Sequence, residues 1–399
     1  MSSSRTQTLT PGIVRLMAAG AGLCVASNYF AQPLLALFAQ TFGVSSVHAG
    51  LLVTMAQLGY VAGLILVVPL GDLLERRRLL VTTTALTAAA LLAMGLAPNF
   101  EAMLLVSVVI GVTSVAAQVL VPLSAHLAPP AQRGRIMSTV MSGLLLGILL
   151  ARFAAGMVAG LAGWRAVYLI GAVLMLALCL SLRARLPEVA PTAGGSYGAL
   201  LRSIGRIFAA QPVLRRRGVI GGLCFAAFGA FWTAAAFMLK ANHGASELVI
   251  GGVALVGVLG ALCARFAGRL ADAGWGPAAT GGFVLLSVLS WLPLWWGQFS
   301  WPLFLAGVVL LDMGVQGAHI SNQTEVYRLD PAARSRITTV YMSMYFTGGA
   351  IGSLLSGLAY ARFGWHGVAA VGAAMAMAAF VYWAAVEGGH AMRRRTSGA

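Results

Sequence analysis

Asp312, Gln316, His319 and Gln323 follow one another at intervals of four, three and four residues inside one long apolar run. That spacing lines them along one face of a helix. Asn322 lies beside the stripe, and Glu325 stands nearer the end of the run. A second apolar run, Arg135 to Trp164, carries a single arginine, Arg152, well inside it. Ionisable groups inside a bilayer are rare and costly, and those that persist mark pairing or a transport path. Asp312 stands about 10 residues into its run, near 15 Å of helix rise, and Arg152 about 14 residues in, roughly 20 Å. Both depths fall within a hydrocarbon core about 30 Å thick.

The chemistry open to Asp312 is carriage of a proton. A carboxylate in a low-dielectric cavity favours its neutral form, and an approaching cation favours the charged one. Proton and substrate then exclude each other, which is antiport. Arg152 either pairs with Asp312 in one state or attracts an anionic substrate. A static Arg152–Asp312 ion pair is the competing reading, and substrate binding alone a third. His319 titrates near neutral pH and could relay protons, or it serves as a hydrogen-bonding lining residue. His126, closer to the inner mouth, is a weaker relay candidate. A polar stripe of this kind borders a cavity rather than lipid. With Gln316 and Asn322 of the stripe, its other expected lining residues are Asn28, Gln32, Gln118, His126, Tyr341 and Tyr345. Phe228, Phe231 and Trp232 either stack a hydrophobic substrate or simply pack between helices.

These residues need helices to hold them, and the chain supplies little else. Hydrophobic residues make up 59% of it and charged residues 9%, against about 25% charged in soluble proteins. That composition implies an integral membrane protein. A span needs about 20 apolar residues. Twelve such runs are present, at about 12–38, 46–70, 79–97, 101–127, 136–162, 165–183, 218–239, 247–267, 277–297, 302–326, 338–360 and 365–386. They are numbered spans 1 to 12 below. An even count puts both termini on one face. Apart from Arg152, Arg165, Lys240 and Arg362, the basic residues all gather on that face. The excess of basic residues marks it as cytoplasmic. The formal charge of +16 therefore sets topology, and no nucleic-acid partner is expected. Cys24, Cys179, Cys224 and Cys263 lie in apolar runs with no metal-ligand spacing, so neither metal nor disulfide is expected. The polar start gives way to span 1 without a small-residue cleavage site, so no signal peptide is expected.

The chain also repeats itself. Shifting by 201 residues carries Arg135 onto Arg336 and Trp164 onto Trp365. Gly147, Gly156 and Gly163 then fall on Gly348, Gly357 and Gly364 without a gap. Two halves follow: residues 1–183 and 218–399, each of six spans. Between them, 184–217 begins as a Pro/Gly/Ser linker and continues as a basic amphipathic stretch, read as a helix on the membrane surface. Small residues four apart, Gly143/Gly147, Gly156/Gly160 and Gly348/Gly352, allow close helix packing in lipid.

The loop after span 2 reads Gly71-Asp72-Leu73-Leu74-Glu75-Arg76-Arg77-Arg78. It resembles the signature loop of the major facilitator superfamily, G-x-L-x-D-R-x-G-R-R. Gly71, Leu73 and Arg76 match, Glu75 stands in the aspartate place, and Arg78 stands in a glycine place. The equivalent loop of the second half keeps Gly268, Leu270, Asp272 and Gly274. In span 5, Gly147 to Gly156 is similar to the G-x-x-x-G-P-x-x-G-G run of proton-driven drug exporters. Ala151-Arg152 replaces Gly-Pro there and Ala155 replaces one glycine. The resemblance covers nearly the whole chain, and its nearest members are bacterial drug- and sugar-efflux proteins.

The resemblance implies an all-α membrane protein of twelve transmembrane helices in two pseudo-symmetric six-helix bundles. It implies a monomeric secondary transporter of the bacterial inner membrane, with small molecules and protons as partners and no cofactor. Its expected action is proton-coupled efflux of small hydrophobic or amphipathic compounds by alternating access, with a sugar or other polar solute as the alternative. The gating residues it implies are Gly71, Asp72, Glu75, Arg76, Gly268 and Asp272, facing Arg133, Arg135, Arg334 and Arg336 in neighbouring loops. Carboxylates beside arginines at helix ends can bond in one conformation and part in another, latching the outward-facing state. An enzyme is not expected: no HExxH, GxSxG, Walker A or paired-acid metal motif occurs.

Overall fold

A computed structural model describes residues 10–129, 132–191, 196–257, 276–330 and 333–388. These residues are almost wholly helical. Nine segments among them are long and apolar enough to cross a membrane. The last of them, Ser335–Glu387, is two helices joined at Gly364. Two shorter apolar helices, Pro11–Ala26 and Glu247–Gly257, occupy the places of spans 1 and 8, which completes the expected twelve. Leu105, Leu161, Val173 and Phe363 are at least two-thirds exposed, as side chains facing lipid tails can be at no hydrophobic cost.

Local chemistry sets the ends of the helices. Thr10 caps span 1 through Oγ1 on the Ile13 N–H, 3.4 Å away, with Pro11 at the first turn, where its missing N–H costs nothing. The four described residues with positive φ are all glycines: Gly43 at 64°, Gly163 at 81°, Gly244 at 59° and Gly364 at 60°. They pair under the same 201-residue shift, Gly43 with Gly244 and Gly163 with Gly364. Each sits at a turn between consecutive spans, where a Cβ would be strained. The echo seen in sequence is thus an echo in backbone conformation.

Helix contacts repeat in the same register. Within the first half, Gly147 of span 5 lies on the Gly22 backbone of span 1. Within the second, Gly348 of span 11 lies on the Gly222 backbone of span 7. Across the halves, a Cβ on Gly156 would come within 2.8 Å of Gly251 Cα in span 8. A Cβ on its counterpart Gly357 would come within 3.5 Å of Val47 Cα in span 2. Both crossings lie toward the face away from the linker. Buried hydroxyls close the same region: Ser353 of span 11 accepts from Thr54 of span 2 at 3.2 Å and from Thr233 of span 7 at 2.9 Å.

The linker carries the expected amphipathic helix, Tyr197–Ala210, capped by Ser196 on the Ala199 N–H. Ile204 is its buried residue, while Arg202 and Arg206 are exposed. It straddles the halves: Tyr197 donates to the Leu66 carbonyl of span 2 at 2.7 Å, and Arg336 of span 11 donates to Ser203 at 3.3 Å.

The close approaches yield a prediction. Replacing Gly348 by Val inserts carbon atoms into the Gly222 backbone. Overpacking costs about 1–3 kcal/mol or more, so the variant is expected to melt well below wild type in detergent. The same change at Gly134, which has open space around it, is expected to leave the melting temperature unchanged.

Candidate functional site

Span 1 is not continuous. Its first helix ends at Ala26, and the chain resumes through a short turn at Gln32–Leu34 into Leu35–Phe42. Span 4 breaks likewise between Phe100–Thr113 and Ala116–Leu127. The breaks meet where Ser27 Oγ lies 2.9 Å from Ser114 Oγ. Irregular backbone at membrane depth survives only inside protein or beside a cavity. The break in span 1 delivers Asn28, Tyr29 and Gln32 to the interior, where all three are buried.

Arg152 projects from span 5 into this break and is 3% exposed. Its Nε donates to Gln32 Oε1 at 2.6 Å. Its guanidinium carbon lies 4.3 Å from the Trp232 ring centre, 4.7 Å from Tyr29 and 5.5 Å from Phe228. Three aromatic faces thus replace much of its lost hydration, an attraction that strengthens when desolvated. One terminal nitrogen, Nη2, makes no hydrogen bond among the described residues.

Asp312 of span 10 is 5% exposed and shares a cavity of about 40 Å³ with Arg152, walled by Leu149, Phe228, Ala254, Gly257 and Gln316. Its carboxylate lies against Gly257, where a Cβ would meet Oδ2 at 2.6 Å. Among the described residues, the two opposite charges do not come within 4.0 Å as an ion pair.

This cavity adjoins a larger one of about 130 Å³, through the shared walls Leu145, Ile148, Phe228 and Gln316. The larger cavity lies between the halves and extends toward the linker face as far as Pro122, Met141, Tyr327 and Thr338. Its lining holds Gln118, Phe228, Gln316, His319, Gln323 and Tyr345, and among the described residues no Asp, Glu, Lys or Arg. Gln118 donates to Tyr60 OH at 3.2 Å. Phe225 stacks on Tyr345 at 4.1 Å and on Phe228 at 5.5 Å. His319 Nδ1 lies 3.1 Å from Tyr341 OH, with its ring 4.4 Å from that of Tyr345.

A sequence model of the Major Facilitator Superfamily matches residues 17–327. The uncharacterized transporter YgaY of Escherichia coli O157:H7 is 46% identical over 378 residues, covering 94% of this chain and 95% of its own. The chain belongs to the Major Facilitator Superfamily. A Streptomyces coelicolor transporter, SCO4007, is 33% identical over 90% of this chain and 84% of its own. Among solved structures, a bacterial homologue of the human lysosomal transporter Spinster, inward-facing and occupied, aligns with TM-score 0.77 at 16% identity, covering 96% of each chain. The nucleoside transporter NupG aligns with TM-score 0.72 at 15% identity over 94% of this chain and 98% of that one. The protein is a multi-pass membrane transporter of a small molecule, and its family and relatives are transporters rather than enzymes.

The remaining expected site residues are placed variously. Asn28 is buried in the break of span 1, with Oδ1 making no hydrogen bond among the described residues. Trp232 belongs to the Arg152 cage rather than the larger cavity. Asn322 lies outside the cavity lining; its Oδ1 accepts from Arg217 at 3.1 Å. At the signature loop, Arg76 lies 3.7 Å from Asp72 and donates to the Gly71 carbonyl at 3.1 Å. Glu75 caps span 3, accepting from the Arg77 and Arg78 N–H groups at 2.7 Å each. It also accepts from the Val189 N–H of the linker at 3.1 Å. Arg133 and Arg135 are exposed. Gly268, Asp272 and the side chain of Arg334 lie outside the described residues, as does Cys263.

Arg217 is the residue sequence reasoning placed wrongly. It ends the run Arg215-Arg216-Arg217, which reads as loop charge. The structure buries it to 3% exposure. It pairs with Glu387 at 2.7 Å and donates to Thr280 at 2.8 Å, tying span 7 to spans 9 and 10 and to the end of span 12. Removing one member of a buried pair costs about 3–5 kcal/mol, while replacing both can be neutral. Arg217→Met is therefore expected to lower thermal stability sharply in detergent. Arg217→Met/Glu387→Leu is expected to recover most of the loss.

Proposed function

We propose that this transporter couples a proton gradient to the export of small hydrophobic or amphipathic compounds, with Asp312 as the proton carrier. The observation that carries this reading is the pair of adjoining cavities between the halves. The larger is walled by aromatic rings, amides and aliphatic side chains without a formal charge, and it shares Leu145, Ile148, Phe228 and Gln316 with the smaller, which holds Asp312 beside Arg152. A compound held by aromatic stacking and dispersion suits such a wall. A single carboxylate at the end of the path gives the proton a place to ride.

The halves, 1–183 and 218–399, rock about this site on the 184–217 linker. Crossings at Gly156/Gly251 and Gly357/Val47 close the side away from the linker. Opening there requires those contacts to part while the linker side closes. Asp72 and Glu75, which here bond Arg76 and the first turn of span 3, then serve as the linker-side latch, with Arg133, Arg135, Arg334 and Arg336 as loop partners. The excess of basic residues in the loops supports a cytoplasmic side for both termini and the linker, in a bacterial inner membrane. The protein acts as a monomer, since each chain carries both halves of the path.

A second reading has its own support. Gln118, Gln316, Gln323 and several tyrosines give the larger cavity hydrogen-bonding groups, so a sugar or other polar solute could be the cargo. Everted vesicles with an acidic interior separate the two. Lipophilic cations, antibiotics and sugars are added in turn while the proton gradient is followed. Dissipation by a lipophilic compound in wild type, lost in Asp312→Asn, is the expected result. Tracer flux of a sugar with the gradient intact would reject proton coupling and favour the second reading.

A further inference from the structure

Arg152 has a carboxylate in its own cavity and does not bond to it. Its Nε is taken by Gln32 and its faces by Trp232, Tyr29 and Phe228. We propose that this aromatic cage holds Arg152 away from Asp312, and that a cationic cargo which occupies the face of Phe228 displaces the guanidinium onto Asp312 and releases the proton. This deepens the proton-coupled reading above and rests on it.

The geometry supports each part of the transfer. Phe228 lines both the larger cavity and the Arg152–Asp312 cavity, so a cargo arriving through the first reaches a ring that Arg152 uses. The ring face of Phe228, over which Arg152 lies, prefers a cation, which makes cargo and guanidinium rivals for one surface. Arg152 retains an Nη2 with no hydrogen bond among the described residues, so a carboxylate can receive it without any existing bond to that nitrogen being broken. Arginine on a long flexible stem can cover the short distance within a shared cavity while its backbone stays fixed in span 5.

Charge balance selects the cargo class. Before cargo enters, the buried set holds one cation, Arg152, and a protonated Asp312. Afterwards it holds the cargo cation and an Arg152–Asp312 ion pair. The Asp312 O–H bond breaks, its proton is released to bulk water, and the guanidinium–carboxylate pair forms. A monovalent cation therefore enters as a proton leaves, and the buried net charge does not change. A neutral cargo would lower it by one unit and an anion by two. Keeping it constant avoids the large cost of changing charge in a medium of low dielectric.

The other titratable groups near Asp312 do not replace Arg152 in this role. Span 1 offers Tyr29, already on the cage, and span 11 offers Tyr345, stacked on Phe225. Span 10 itself offers His319, bonded to Tyr341. The described part of span 8 that faces Asp312, Ala254 and Gly257, carries no titratable side chain. Phe228 is accordingly a positioning residue that acts on the proton through Arg152. Trp232 also interacts with the Asp312 carboxyl itself, so Trp232→Phe, which removes the indole N–H and keeps a ring, separates that interaction from the cage.

The test measures proton release and ligand binding together. Purified protein in weakly buffered detergent receives tetraphenylphosphonium, a monovalent aromatic cation. Calorimetry counts ligand bound and an indicator dye counts protons released. Wild type is expected to release about one proton per cation bound, since one carboxylate carries it. Trp232→Phe keeps an aromatic face and is expected to preserve that ratio. Trp232→Leu is expected to release less than half as many protons per bound cation, because Arg152 already rests on Asp312. Equal release per bound cation in Trp232→Leu would overturn the cage mechanism while leaving proton coupling intact. Binding to wild type with no release at all would instead overturn the proton-coupled reading on which the inference rests. Failure of wild type to bind the cation would overturn the cargo class. Trp232→Phe keeps the test open should the leucine variant fail to fold.

Discussion

An arginine placed inside a hydrocarbon layer must be satisfied without bulk water, and much of the site's architecture follows from how Arg152 meets that demand. Its guanidinium needs an acceptor and soft negative surfaces within reach of span 5. The break in span 1 provides Gln32 and Tyr29, and span 7 provides Phe228 and Trp232. A continuous span 1 would carry Tyr29 and Gln32 at helical spacing rather than around a turn. The glycine contact of span 1 with span 5 then fixes the height of the break: Gly22 and Gly147 let the two backbones touch just below it. Fold and site are coupled at that crossing.

The same pair of crossings occurs in both halves, yet the charges do not repeat. Arg152 shifted by 201 residues falls on Ser353 of span 11. Ser353 bonds to Thr54 and Thr233 in the seal between the halves. One copy of the repeat therefore carries a buried charge and the other a hydroxyl cluster. The scaffold is symmetric because helix packing in lipid depends on small residues at fixed spacing. The site is asymmetric because an arginine in place of Ser353 would add desolvation cost in the seal between the halves without an added function.

Much of this was legible in the sequence. Hydrophobic runs of about 20 residues reveal spans irrespective of their partners. The 201-residue echo anticipated the paired turns at Gly163 and Gly364 and the paired crossings at Gly147 and Gly348. Asp312 and Arg152 stood out because charges in such runs are rare. The breaks in spans 1 and 4 did not stand out, since an apolar run reads the same whether or not its helix is interrupted; Pro33, within the turn at Gln32–Leu34, was the available signal. Arg217 was hidden by its neighbours Arg215 and Arg216, which do mark a helix end. Asn322 was grouped with the stripe, yet at about 100° per residue it lies about 80° from Asp312, whereas Gln323 lies about 20° away. That rotation turns Asn322 toward Arg217 and leaves Gln323 on the cavity.

Asp312, on this account, holds a proton until cargo arrives and then gives it up to the cavity. Infrared difference spectroscopy reads this directly, because a protonated carboxyl group in an apolar site has a carbonyl band separate from those of carboxylates and amides. Adding a cationic cargo to wild type should remove intensity from that band and create carboxylate intensity, and Asp312→Asn should show neither change. A wild-type difference spectrum with bound cargo and an unaltered carboxyl band would contradict the account.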